Sequence, residues 1–444
     1  MIDRSVSIVG GGLAGSEAAW MLATREIPVT LYEMRPGTTT PAHRTDGLAE
    51  VVCSNSFGAD STTSPAGILK EELRGLGSLI LKCADESRVP AGKALAVDRD
   101  IFSRLVTETL EKHPLVTVVR EECVSVPEGP AILATGPLTS SAMAGEIRKM
   151  AGEEYLSFFD AVAPVVEADS IDMTKAFRLG RWGQEDDYIN CPFTREEYEA
   201  FISALTSAER TLPHDFEESP SWFEGCLPVE VMASRGTDTL RFGPLRPVGL
   251  PLPGTGEDAW AVAQLRQDNR EGTLYNLVGF QTSLRWGEQE RVFRMIPGLA
   301  DAEFARFGVM HRNIYVNAPA VLDGRLRFRN GREDLFLAGQ ITGVEGYMES
   351  TAMGCVAALN MAALLLGKPF PEWPRETAVG SLLHYLGDAL GRRFQPMNVN
   401  LGIFPPLGGK VRNKALRCEQ VAQRAREAFV PFLAGLAELA GPAG

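Results

Sequence analysis

Two thiols in this chain stand in surroundings where a cysteine could react. Cys53 lies in Glu50-Val51-Val52-Cys53-Ser54-Asn55-Ser56-Phe57-Gly58, where an apolar strand end is expected to open into a polar, glycine-containing loop. Cys226 lies in Phe223-Glu224-Gly225-Cys226-Leu227-Pro228, pinned between a glycine and a proline. An accessible thiolate is a strong nucleophile, whereas a buried thiol is only a small hydrophobe; on these residues alone both readings stay open for each cysteine. The remaining five cysteines show no C-x-x-C or zinc spacing, and Cys83 and Cys355 fall in apolar helical stretches that suit a core. The five histidines also lack metal spacing, so no metal site is expected. His43 and His311 are placed where they could approach a cofactor or substrate.

A second set of residues could hold a phosphate. Gly10-Gly11-Gly12-Leu13-Ala14-Gly15 follows the β-branched run Ser5-Val6-Ser7-Ile8-Val9 and precedes a good helix former, residues 16–23. Gly10 permits the tight turn, Gly12 lets a pyrophosphate approach the backbone, and Gly15 lets helix and strand pack closely. The phosphate would then meet the positive end of the helix. A further strand, Pro28-Val29-Thr30-Leu31-Tyr32, ends at Glu33, about 20 residues past the glycines, where a carboxylate accepts from ribose hydroxyls and disfavours a 2′-phosphate. Arg35 follows immediately.

Two distant segments decide which dinucleotide is expected. Ala131-Ile132-Leu133-Ala134-Thr135-Gly136 is an apolar strand ending like the second signature of flavoproteins. Asp334-Leu335-Phe336-Leu337-Ala338-Gly339 is another strand, leading through Gly343-Val344-Glu345-Gly346-Tyr347 into a small-residue helix, 350–363. That pair resembles the last strand–helix unit of two-dinucleotide flavoproteins. A plain NAD dehydrogenase needs neither segment, so FAD is the expected cofactor. Its contacts are expected from Gly10, Gly11, Gly12, Leu13, Ala14, Gly15, Glu33, Arg35, Ala134, Thr135, Gly136, Gly339, Glu345 and Gly346.

These elements imply an α/β fold, a Rossmann-like FAD-binding domain of the two-dinucleotide type interrupted by a mixed α+β insertion. The expected division is 1–160 for the first part of the FAD-binding domain and 161–309 for the insertion. The second part, 310–444, carries C-terminal helices. With 444 residues, two or three domains are the prior. The insertion reads as β-rich with helices, one at 194–205, and its tryptophans (Trp182, Trp222, Trp260 and Trp286) are expected in a core rather than as stacking surfaces. Composition, 45% hydrophobic and 23% charged, is that of a globular protein. No run approaches the roughly 18 apolar residues of a membrane span, and no export pattern is seen, so a cytoplasmic location with free thiols and no membrane partner is expected.

The net charge of −13 argues against indiscriminate nucleic-acid binding. Against that background, residues 391–417 hold Arg392, Arg393, Lys410, Arg412, Lys414 and Arg417 with no Asp or Glu. That stretch is either a solvated face or a surface for a phosphate backbone. Arg235, Arg241 and Arg246 form a weaker second candidate.

Taken together these strings resemble the bacterial folate- and FAD-dependent tRNA uracil-5-methyltransferases, related to the larger flavoproteins that modify wobble uridines. The likeness runs through nearly the whole chain. Its most specific parts are Val52-Cys53-Ser54-Asn55-Ser56 and Phe242-Gly243-Pro244-Leu245-Arg246-Pro247-Val248-Gly249-Leu250. Others are Cys226-Leu227-Pro228-Val229-Glu230, Gln264-Leu265-Arg266-Gln267, Gly343-Val344-Glu345-Gly346-Tyr347 and Phe394-Gln395-Pro396-Met397. The resemblance implies methylation of C5 of the tRNA T-loop uridine. Methylenetetrahydrofolate would be the carbon donor, reduced FAD the methylene carrier and hydride source, and NAD(P)H the reductant. C5 of uracil is a poor nucleophile until something adds at C6, and a thiolate is the usual agent. The resemblance therefore implies catalytic roles for Cys226, as the C6 nucleophile, and Cys53, as an assisting acid–base group or alternative nucleophile; the two roles could be exchanged. The same chemistry on a 23S rRNA uridine, or a small-molecule FAD oxidoreductase, are the competing expectations. The oligomeric state is not read from the sequence.

Overall fold

The computed structural model describes residues 5–40, 42–152, 155–183, 186–211, 227–329, 331–387, 394–409 and 411–439. The chain builds two hydrophobic cores. The first surrounds a five-stranded parallel sheet whose strands lie in the order Val116–Val119, Val29–Tyr32, Val6–Val9, Ala131–Leu133, Leu335–Leu337. Numbered along the chain this is 3-2-1-4-5, the Rossmann-like order. The direction of winding reverses beside Val6–Val9, so the loops after Val9 and after Leu133 diverge and leave a crevice at the carboxyl ends of the strands.

Two helices cover this sheet, Leu13–Ala23 and Tyr347–Leu366. Both are apolar nearly all round, which is the pattern of a helix buried on every side. Tyr347–Leu366 is long and apolar enough to span a membrane, but 78% of its apolar window is buried in the protein. The two helices approach until only glycine fits: a Cβ on Gly354 would lie 2.3 Å from the carbonyl oxygen of Ala14.

The second core lies behind a six-stranded antiparallel sheet ordered Phe177–Arg178, Tyr188–Phe193, Ala261–Gln267, Leu274–Leu277, Val165–Glu167, Phe304–Arg306. Its helix Arg195–Ser207 starts where the sequence predicts, because Thr194 and Glu197 form a reciprocal capping box. A two-stranded antiparallel ribbon, Tyr155–Ala161 with Met310–Val316, joins the two cores, with Ala161 opposite Met310. A small antiparallel sheet of Arg88–Val89, Ala94–Val97 and Ser56–Ala59 flanks the first core.

The tryptophans of the insertion depart from expectation. Trp182 and Trp286 are 69% and 58% exposed, and Trp222 lies outside the described residues. Trp260 is half-buried against the second core, under the guanidinium of Arg241, 3.7 Å from its ring centre. Local pattern does not separate these cases, because exposure is set by which loop crosses the ring.

Glu72 is fully buried on helix Pro65–Gly75, and its carboxylate accepts from the backbone N–H groups of Ala378 (2.7 Å) and Val379 (3.0 Å), capping helix Ala378–Gly387 from a distance. Burial raises its pKa from the ordinary 4.5 to about 8, against the smaller opposing pull of the two N–H groups. The folded state thus binds this proton more tightly than the unfolded chain. Its contribution to stability is complete below pH 4.5 and is lost as pH rises towards 8. Glu72→Gln removes the titration, so the stability difference between variant and wild type is expected to shift in the variant's favour by up to about 1.4 kcal/mol per pH unit over that window. Urea denaturation of both proteins at pH 5 and pH 8 measures it; an unchanged difference would show that Glu72 does not titrate there.

Candidate functional site

The crevice at the sheet's carboxyl edge opens into a cavity of 420 Å³. Gly10, Gly11, Gly12, Leu13, Ala14, Glu33, Arg35, Ala134, Thr135, Gly136, Gly339, Glu345 and Gly346 all line it, drawn together from three distant stretches of chain. Gly15 is packed beneath the floor, where a Cβ would meet the carbonyl oxygen of Gly10 at 1.9 Å. Gly10 has φ +103° and lies so near the next strand's end that a Cβ would sit 2.5 Å from the oxygen of Ala134. Gly12 differs: a Cβ there would touch nothing within 4 Å, so its space belongs to the cavity.

No side chain caps helix Leu13–Ala23 at Gly12, whereas in the first turn of helix Tyr347–Leu366 the buried Glu349 carboxylate accepts from its own backbone N–H. The first-turn N–H groups of helix Leu13–Ala23, at the positive end of its dipole, thus meet the cavity. That donor set, with the open space at Gly12, fits a dinucleotide carrying a pyrophosphate.

Glu33 is held rigidly. Its Oε1 accepts from the backbone N–H and Nε of Arg35 at 3.0 and 2.8 Å, and its Oε2 accepts from Gly11 N–H at 3.0 Å. A lone pair on Oε2 remains for a ribose hydroxyl. Burial pushes the Glu33 carboxyl up, but the hydrogen bonds and charge of Arg35 outweigh it and hold the pKa below the ordinary value. Arg35 is itself buried between Glu33 and Glu50, so it orients the carboxylate.

Cys53 lines the same cavity. Residues 50–52 do not form the strand expected before it. The carbonyl of Val51 instead accepts from Arg99 Nη1 at 2.7 Å, and that of Val52 from Arg99 and Arg306 at 3.3 and 3.4 Å, so a ladder cannot use them. Arg99 is anchored in turn by buried Asp268 at 3.0 Å. Beyond the cysteine, Arg266 donates to Ser54 Oγ at 2.9 Å and to Asn55 Oδ1 at 3.1 Å. The Cys-Ser-Asn-Ser and Gln-Leu-Arg-Gln strings, over 200 residues apart, thus form one structure.

Tyr347 completes the thiol's surroundings. Its Oη accepts from the N–H groups of Cys53 (2.9 Å) and Ser54 (3.3 Å) and lies 3.0 Å from Cys53 Sγ. With two amide donors on the oxygen, the phenol's one proton is directed at the sulfur. Burial, reinforced by the neighbouring Cys53, raises the Tyr347 pKa well above its ordinary 10, so the proton stays on the phenol at neutral pH. Tyr347→Phe removes that donor and strands two backbone N–H groups. The rate of thiol alkylation at Cys53 is expected to fall about tenfold at neutral pH, with its pH profile displaced upward. An unaltered profile would show that the phenol does not act on the thiol.

Sequence reading passed over Tyr347, Arg99, Arg266 and Arg306. Tyr347 and Arg266 lie in Gly343–Tyr347 and Gln264–Gln267, strings that carry the resemblance, and Tyr347 had the further signal of a tyrosine at the mouth of a helix; Arg99 and Arg306 carried none, since their burial depends on distant partners. The other cysteines part as expected: Cys83 and Cys355 are buried. Burial raises the Cys83 thiol to about 12. Cys226 lies outside the described residues. Val229, three residues on, donates its N–H to the carbonyl of Gln281 at 2.7 Å, and Gln281 lines the cavity. The buried carboxylate of Glu230 accepts from Thr282 Oγ1, Ser283 N–H and Ser283 Oγ, fixing that turn.

The basic segment is only partly described: Arg392, Arg393 and Lys410 fall outside the described residues. Arg412, Lys414 and Arg417 are exposed and, among the described residues, make no ion pair. Lys414 and Arg417 lie in the first turn of helix Lys414–Gly435, the end where the helix dipole disfavours cations. His43 lines the cavity, hydrogen-bonded to Thr40, and the side chain of His311 is not among those described.

The family model described as "Glucose inhibited division protein A" matches residues 5–369. The chain belongs to this family. Within the glucose-inhibited division protein A family, it is 58% identical over 435 residues to a protein of Desulforudis audaxviator named methylenetetrahydrofolate–tRNA-(uracil-5-)-methyltransferase TrmFO. That alignment covers 97% of this chain and 99% of the relative. A protein of the same name from Moorella thermoacetica is 58% identical over 96% of this chain and 98% of its own length. Among solved structures, Aquifex aeolicus GidA superimposes with a TM-score of 0.69 at 16% identity, covering 99% of this chain and 76% of that one. This likeness concerns the fold alone.

Proposed function

We propose that this protein is a folate-dependent tRNA (uracil-5-)-methyltransferase that binds FAD. The observation that carries the reading is Cys53 beside Tyr347 in the cavity that also holds the glycine turn and Glu33. The names of its close relatives support the substrate and the carbon donor. In this reading residues 161–309 form an insertion domain on the RNA side, between 1–160 and 310–444. When bound, FAD supplies the reducing electrons and the carrier for the one-carbon unit, with NAD(P)H as the proposed reductant.

Gly12 and the N-terminus of helix Leu13–Ala23 would hold the pyrophosphate, and Glu33 would accept from the adenosine ribose. Gly346 and Tyr347, at the start of helix Tyr347–Leu366, would line the rest of the cofactor's site. A thiolate adds to C6 of the uracil, and the electron pair moves to C5, which becomes nucleophilic. We assign that addition to Cys226. Cys53, with the phenol proton of Tyr347 on its sulfur, holds or moves a proton at the base. After C5 has gained its carbon, the C5 proton leaves to a base and the thiolate is expelled from C6. Arg392, Arg393, Lys410, Arg412 and Lys414 are proposed to meet RNA phosphates.

Incubating the FAD-loaded protein with methylenetetrahydrofolate, NAD(P)H and unmodified tRNA, then mapping the methylated base, tests the reading. 5-Methyluridine in the T-loop is the expected product. Methylation with S-adenosylmethionine and no folate would overturn it.

A further inference from the structure

We propose that Trp182, flanked by Arg181 and Arg246, is a stacking platform for an unpaired nucleotide of the substrate RNA. The proposal rests on the reading of the chain as an RNA methyltransferase and adds a contact to it.

Trp182 is built to stay exposed. Its backbone adopts φ 61° and ψ 35°, a left-handed conformation that a large side chain rarely takes, and such outliers persist only where the surroundings enforce them. Here Trp182 N–H donates to Gly249 O at 3.2 Å. The Arg181 guanidinium clamps the same loop, donating to Val248 O (2.7 Å), Arg246 O (2.8 Å) and Gln264 Oε1 (2.9 Å). Gly249, itself at φ +85°, lies against the indole: a Cβ there would be 2.9 Å from Cε2 and 3.0 Å from Cδ2. Those two atoms are shared by the fused rings and can be approached that closely only from above the ring plane. One face of the indole therefore rests on Gly249, while the residue keeps 69% of its surface exposed, so the opposite face is open.

The charges beside that face select the occupant. Arg246 is exposed and makes no ion pair among the described residues. Burial and the neighbouring Arg246 charge push the Arg181 pKa below its ordinary value, as expected of two cations set side by side. An open aromatic face next to paired guanidiniums matches a base with its phosphate. An apolar protein surface docking there would strip water from both cations without compensation.

The position also fits. Gln264, which holds Arg181, and Arg266, which holds Ser54 and Asn55, are alternate residues of strand Ala261–Gln267 and share one face, about 7 Å apart. The platform and the Cys53 loop are thus fixed to neighbouring points of one strand. The Phe242–Leu250 string, specific to the family resemblance yet unused by the chemistry, gains a role as the loop that carries Arg246 and seats Trp182.

The test compares wild type, Trp182→Ala, Trp182→Phe, Gly249→Ala and Arg246→Ala, each loaded with FAD and checked for an unchanged flavin absorbance spectrum. Equilibrium binding to unmodified tRNA and the KM for tRNA in folate-dependent methylation are measured. Trp182→Ala is expected to weaken both by about tenfold or more. Trp182→Phe keeps most of the affinity, and Gly249→Ala, which displaces the indole without removing it, behaves like Trp182→Ala. Arg246→Ala lowers the slope of log affinity against log salt by about 0.7. If wild type methylates tRNA but Trp182→Ala and Gly249→Ala bind it as well as wild type, the platform is wrong. A Trp182→Phe protein as defective as Trp182→Ala would also sink it. If wild type methylates no RNA, the proposed function falls first, independently of these variants.

Discussion

Cys53→Ala and Cys226→Ala are each expected to lower folate-dependent methyl transfer to uridine by about a thousandfold or more, while both proteins still bind flavin. The physical reasons differ: without Cys53 the adduct forms but its proton step stalls, and without Cys226 there is no adduct. Without addition at C6, C5 of uracil has almost no carbanion character, and no positioning of the donor replaces it. Groups that act as a unit are strongly non-additive, so the double variant is expected to be no worse than the more damaged single variant. The two thiols should part in a second measurement. RNA containing 5-fluorouracil has no C5 proton to lose, so an attacking thiolate stays bonded to C6. Cys226→Ala should abolish that covalent complex and Cys53→Ala should retain it, if Cys226 attacks and Cys53 manages a proton. A covalent complex that survives Cys226→Ala and vanishes with Cys53→Ala would exchange the roles. The surroundings of Cys53 suit either outcome: the Tyr347 proton can steady a thiolate or be passed on from it.

The residues that line the cavity were legible in the sequence because its parts are local. A glycine turn needs its glycines within six residues, a parallel strand announces itself by a short β-branched run, and the acid at Glu33 follows at a fixed length of helix and strand. Glycine also marks close approach, which is why Gly12 and Gly15 stand out in the sequence beside the turn glycine Gly10. The rest of the site is held by contacts across long separations. Arg266 reaches Ser54 and Asn55 across more than 200 residues, and Tyr347 reaches Cys53 across 294. A buried arginine has the same letter as an exposed one, and nothing near Arg99 in the chain foretells Asp268 as its partner. Exposure of aromatics was misread for the same reason. Trp182 is left open by the backbone of a loop that begins 60 residues later, around a glycine whose importance only the packed ring reveals.

Glycines 12 and 15 should respond to the same substitution in opposite ways. Gly12 has φ −69°, which alanine adopts freely, and a Cβ there meets no protein atom within 4 Å. Gly12→Ala should therefore leave the apoprotein's melting temperature within about a degree of wild type, since neither packing nor backbone changes. It should nevertheless weaken FAD binding on the order of a hundredfold, because the methyl group occupies the space the pyrophosphate needs beside the first-turn N–H groups. Gly15→Ala puts a Cβ 1.9 Å from the carbonyl oxygen of Gly10, a backbone atom that cannot swing aside. The helix must move off the strand, at a cost of about 3 kcal/mol or more, and flavin is lost because the turn itself is deformed. Flavin content after purification and melting curves with and without added FAD distinguish the two variants. FAD binding stabilises whichever protein it occupies, so wild type should melt higher with FAD and Gly12→Ala should show little rise at the same FAD concentration. Wild-type FAD affinity in Gly12→Ala would place the pyrophosphate elsewhere in the cavity.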